Sequence, residues 1–219
     1  DAILQDGRGS ARAPGWVLVA SAIAMIVLLA LHPEGQAKDF AGVLRNEAAD
    51  RRIDAIVHGG FVLILAIQMA CYAIFSLRLA KAMNAAITGL VFFCFGAAML
   101  SGSTLIDGLV LPSIAAKYAG VPAKIDSART LYAFGGAMIS ILMPLGIGFQ
   151  SAGITAWGWG LLRTKRRGAG IAGLSIGLLA LVTTIAAAFT MNPMALMVGI
   201  AALALWAVVA GVTVIRSGT

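Results

Sequence analysis

The chain has 219 residues, 60% of them hydrophobic and 11% charged, with a mean hydropathy of +0.95 and a formal charge of +7. Soluble globular domains are about 45–50% apolar and about 25% charged, so these values exclude an ordinary water-soluble fold, a disordered chain and a disulfide-framed secreted module. In a soluble protein the surplus of base would suggest nucleic acid; at this hydropathy a lipid bilayer is the better partner, and no nucleic acid is expected.

A membrane-crossing helix needs about 20 mostly apolar residues. Six segments qualify, and they predict an all-α fold: a six-helix transmembrane bundle forming a single domain over residues 1–219. The spans read as about 16–32, 54–77, 83–111, 130–162, 170–190 and 194–215. They are rich in Ala, Leu and Gly and lack the period-two alternation of barrel strands. No small-residue cleavage motif closes the first segment, so it reads as a span rather than a signal peptide. The chain opens on Asp1, which leaves room for residues upstream.

Between the first two spans, Phe40, Val43, Leu44 and Ala48 recur at helical spacing, opposite Asp39, Arg45, Asp50 and Arg52. Residues 33–52 therefore predict a short amphipathic helix on the membrane surface. The third span passes Ser101, Gly102, Ser103 and Asp107 and is expected to end or kink at Pro112. Residues 113–129 form a loop broken by Gly120 and Pro122. The fourth run is longer than a hydrocarbon core requires; Pro144 is expected to kink it, and Trp157 and Trp159 suit an interfacial belt. Ala169, Gly173 and Gly177 put small residues on one face of the fifth span, the pattern that permits close helix packing.

Six spans put both termini on one side. That side would carry Arg8, Arg12, Arg78, Lys81, Arg163, Lys165, Arg166, Arg167 and Arg216. Four of these bases fall within the five residues 163–167. By the positive-inside rule this side is cytoplasmic. On this topology it carries the whole net charge and faces anionic lipids, while the outer side is charge-balanced.

Cys71 and Cys94 sit in different spans at different depths and read as small buried apolar residues rather than a disulfide. There is no P-loop, nucleophile elbow, zincin helix or dinucleotide fingerprint. No ionisable residue falls at mid-depth, which counts against proton-coupled transport. Gln68 and Gln150 are the notable polar residues in the spans, read first as interhelical hydrogen bonds.

One constellation carries chemistry. His32 closes the first span, His58 lies one turn into the second, and Asp107 reaches the same outer level at the far end of the third. The outer connection between spans five and six adds Met191 and Met194, with Met197 close by. Imidazole, carboxylate and thioether together suit copper; the histidines and carboxylate alone suit zinc. Bis-histidine haem is the weaker alternative. Acid–base chemistry on lipids by His58, Asp107, Ser101 and Ser103 is another, supported only by shared depth.

The run His32-Pro33-Glu34-Gly35, then His58 opening a span, then Ser101-Gly102 and Leu111-Pro112, resembles that of small uncharacterised bacterial polytopic inner-membrane proteins. The resemblance covers roughly residues 16–116 and implies a bacterial inner membrane and no particular reaction. The reading is then a non-enzymatic membrane protein, an accessory subunit of a larger complex, a homo-oligomer or a small-ligand binder, working from its periplasmic face. A metal-binding or metal-handling protein is the alternative, and a small transporter the third.

Overall fold

The computed structural model describes residues 2–32, 37–190 and 193–217, with no side chains described for 2–11, 80, 189–190 or 193–195. Among them it is all-helical. The helices are α1 (Ala2–Ala30), α2 (Phe40–Leu77), α3 (Met83–Leu105), α4 (Leu111–Tyr118), α5 (Ile125–Arg163), α6 (Arg167–Thr190) and α7 (Pro193–Ser217). A π-helical turn, Ile106–Val110, joins α3 to α4, so Met83–Tyr118 forms one rod. Six rods are long and apolar enough to cross a membrane.

The rods close into a ring. Each of α1, α2, α3, α5, α6 and α7 packs on the next, and α7 returns to α1. Leu63, Val91, Ile171 and Val182 are each at least 60% exposed on the outside, an apolar surface that belongs in lipid rather than water. The core holds Tyr72, Phe75, Phe93, Trp157 and Trp206. Trp157 stacks on Tyr72 at 4.8 Å between ring centroids. Its Nε1–H donates to Ser76 Oγ at 2.9 Å, so its one polar atom is satisfied inside the bundle.

Glycines set how closely neighbours approach. A methyl group added at Gly158 would lie 2.6 Å from the Leu174 backbone nitrogen, and one at Gly173 would lie 2.9 Å from Gly158 Cα. The small-residue face of the fifth span is therefore buried against α5 within the chain.

Three expectations are corrected. Residues 40–53 are helical with the predicted periodicity, but they are the first third of α2 rather than a separate surface helix. Asp39 caps this helix, its carboxylate accepting from the Gly42 N–H at 2.6 Å; no breaker follows, so the helix runs on into the span. At about 1.5 Å per residue, 38 residues reach about 57 Å, well beyond a core of about 30 Å. The protruding part packs on α4 and the start of α5 through Leu44, Ala115 and Ala128. Pro112 does not end the third rod. Its ring excludes an ordinary helical bond to residue 108, and the wider π turn just before it accommodates the missing donor. Trp157 is fully buried and joins the core rather than an interfacial belt. Trp159 is 51% exposed, with the Arg163 guanidinium 5.2 Å from its ring centre, as a belt residue would be.

Candidate functional site

His58 lies on the inner face of α2, 6% exposed. Its Nδ1–H donates to the Asp54 carbonyl, one turn earlier, at 2.9 Å. A carbonyl can only accept, so this bond fixes the proton on Nδ1. The neutral ring then presents a bare lone pair at Nε2, and this atom lies 3.3 Å from Asp107 Oδ2. A lone pair and a carboxylate at that distance repel unless a proton or a metal cation sits between them.

Asp107 reaches His58 because the chain widens there. It is the second residue of the π turn, a device that recurs at functional sites. Gly108 follows, and a methyl group at Gly108 would collide with the His58 ring and its Cβ. Only glycine lets this turn press so closely on α2. The Asp107–Gly108 pair is thus a unit: the glycine permits the approach and the aspartate makes use of it.

His32 arrives from the end of α1. Its ring centre is 5.0 Å from that of His58, with the planes crossed at 69°. One ligand atom from each of His32, His58 and Asp107 lies within 4.8 Å of the other two. Two donors bound 2.0–2.2 Å from a tetrahedral zinc are about 3.4 Å apart. The His58–Asp107 pair already has that separation. The exposed His32 ring has to close by something over an ångström.

The acidic surroundings go beyond the expected residues. Asp54 is only 6% exposed. Glu47 lies on the protruding third of α2, outside the part we assign to the bilayer. Its carboxyl is pushed up to about 7, first by partial burial and then by the charges of Asp54, Asp107 and Asp50.

All three candidate ligands line one cavity of about 220 Å³ enclosed by α1, α2, α3, α5 and α7. It descends past Phe61, Leu65 and Leu100 to Gln68 and Gln150. Gln68 makes the expected interhelical bond, donating to Ser21 Oγ at 3.1 Å. Gln150 does not: it is 1% exposed and its Nε2 has no partner among the described residues. Met25, Met143 and Met197 bring thioethers to the same wall. Of the methionines named beforehand, Met191 and the Met194 side chain lie outside the described residues. Ser103 is buried without a hydrogen-bond partner for its hydroxyl and does not line the cavity.

Sequence reading grouped His32, His58 and Asp107 by depth, and the fold brings them together. It did not single out Asp54 or Gly108. The spacing of four between Asp54 and His58, and the Asp-Gly pair ahead of a proline, were the available signals. No protein-family model matches this chain, nor does any curated protein or solved structure.

Proposed function

We propose that this polytopic membrane protein binds a transition-metal ion through His32, His58 and Asp107. Zinc is the first choice and copper the second. One observation carries the reading: His58 Nε2, on a ring held in place by the bond at Nδ1, faces a carboxylate at 3.3 Å with His32 alongside. On the neutral ring a metal ion would bridge the two groups, as the proton of an imidazolium otherwise does. A bond from Nδ1–H to a backbone carbonyl is also what usually orients a metal-binding imidazole and fixes its tautomer. Three protein ligands leave a fourth position for water or a bound molecule, as in open zinc sites. The thioethers of Met25, Met143 and Met197 in the same cavity are what favours copper(I) as the second choice.

The setting we infer is a bacterial inner membrane, with both termini cytoplasmic and the metal site on the periplasmic side. The basic residues support it. Arg166, Arg167 and Arg216 line one surface hollow, on the end of the bundle away from the histidines, where anionic lipid headgroups would be attracted. The role is binding or handling of the metal, alone or as part of a larger membrane assembly.

The test is metal titration of the purified full chain, monitored by elemental analysis. One zinc per chain is expected, and His58→Ala should weaken it by well over tenfold, as should Asp107→Asn. Zinc binding that survives both substitutions unchanged would sink the assignment. Tighter binding of copper(I) than of zinc, weakened by Met197→Leu, would make copper the physiological ion.

A further inference from the structure

Beside the cavity below the three ligands lies a polar group that has no partner among the described residues. Gln150 lines its deep end, is 1% exposed, and has an unpartnered Nε2. A buried donor without an acceptor is costly. Gly96 lets α3 press on α5 at this level: a methyl group there would stand 2.5 Å from the Gly146 carbonyl oxygen, 2.7 Å from the Gln150 backbone nitrogen and 2.8 Å from Gln150 Cγ. Gln68, which lines the same cavity, donates its Nε2–H to Ser21 Oγ, and no bond joins it to Gln150 Nε2.

Between the three ligands at the mouth and Gln68 and Gln150 the wall is mostly apolar, built by Phe61, Leu65, Leu100, Ile200 and Leu203, with Thr104 among them. Among the described residues no Lys or Arg lines it, so an anion would find no counter-charge at the deep end. Its length follows from α2. Both His58 at the mouth and Gln68 at the bottom line it, ten residues apart, or about 15 Å. A dry cavity of about 150 Å³ suffices for benzene; this one has about 220 Å³.

We infer that this cavity binds a slim, uncharged, carbonyl-bearing apolar molecule, whose oxygen accepts a hydrogen bond from Gln150 Nε2. The molecule has about nine non-hydrogen atoms, by comparison with benzene in the smaller cavity. Its apolar body lies along Leu65, Leu100 and Leu203, and it enters past the His32–His58–Asp107 mouth. A medium-chain acyl compound and a short-tailed quinone share this chemistry. The inference does not require the metal, because the anchoring amide is far from it. Gln150 packs at the level of Gly96, eleven residues along the rod from Asp107, or about 16 Å.

The experiment uses the full chain in lipid nanodiscs and photoreactive probes. One is a medium-chain ketone carrying a diazirine at its tail. The second is a benzoquinone with the same short diazirine tail. The control is the matching hydrocarbon diazirine without oxygen. Labelled positions are mapped by mass spectrometry. At least one carbonyl probe is expected to label cavity residues such as Leu65, Leu100 or Leu203, saturably and several-fold above the hydrocarbon. Which of the two does so identifies the source. Gln150→Leu, close in size, should reduce cavity labelling by about tenfold, the scale of one lost buried hydrogen bond. Leu203→Trp, which fills the cavity, should abolish it. Equal labelling by the hydrocarbon, labelling unaffected by Gln150→Leu, or no cavity labelling by either probe would overturn the inference. Zinc titration of Gln150→Leu is run in parallel. Wild-type zinc affinity shows that the variant is folded and separates this outcome from failure of the metal site. If the wild type takes up no zinc, a native size-exclusion profile of Gln150→Leu serves as the folding control, and the labelling arms retain their meaning.

Discussion

At the residue scale, Gly108 decides whether the site exists. Asp107 and the two histidines supply the donors, but they meet because the backbone at residue 108 touches the His58 ring. Gly108→Ala should destabilise the protein by about 1–3 kcal/mol, the usual cost of overpacking, and weaken zinc binding with it. Gly120→Ala is the control, since nothing lies within 4 Å of a methyl group there. Thermal unfolding and metal titration of both variants check this, and a Gly108→Ala protein with native zinc affinity would show that the close approach is not needed. His32 and His58 were legible as candidates because histidines are rare here and both fall at span ends. Gly108 was not legible. A glycine in a glycine-rich membrane sequence carries no mark of the ring pressed against it.

At the element scale, the protruding third of α2 couples the fold to pH. Glu47 is pushed up to about 7 from an ordinary 4.5, by partial burial and by the neighbouring Asp54, Asp107 and Asp50. A carboxyl with a raised folded-state pKa favours the fold while protonated. Its contribution is complete below about pH 4.5 and is lost as the pH rises through about 7. Metal-free protein should therefore melt at a lower temperature above this window than below it, and Glu47→Gln should flatten the difference. An unchanged pH slope in the variant would assign the effect to other groups. The α5–α6 pair makes a second element-scale prediction. Gly173→Leu would drive a side chain into Gly158 and the Trp206 ring. It should lower the melting temperature sharply while leaving zinc stoichiometry intact in the folded fraction, because the cavity is not lined by α6. The amphipathic period over residues 40–48 was readable in advance; its continuity with the span was not. Periodicity marks a helix but does not mark where it ends when no breaker intervenes.

At the scale of the whole molecule, the charge distribution predicts a fixed orientation. Single cysteines placed at Gly120 and at Lys165, in a background lacking Cys71 and Cys94, should react oppositely with an impermeant thiol reagent. In intact cells Gly120→Cys should be labelled and Lys165→Cys protected. The reverse pattern would place the metal site on the cytoplasmic side. Metal binding should also be felt globally, since an ion that binds only the folded chain stabilises it by about 2.7 kcal/mol at a hundredfold excess over Kd.

Sequence alone determined that this protein is a membrane bundle of six helices. Bilayer thickness sets the length of an apolar segment, and that constraint acts on each segment separately. It also determined the inventory of donors, because so few ionisable residues occur near the spans. The ring closure, the π turn at Ile106–Val110 and the cavity with its unpaired Gln150 were decided by tertiary structure. Their cause is physical: within a bilayer every helix is apolar all round, so composition cannot say which face meets lipid and which meets a neighbour. Only packing makes that choice, and it placed His32, His58 and Asp107 around one point.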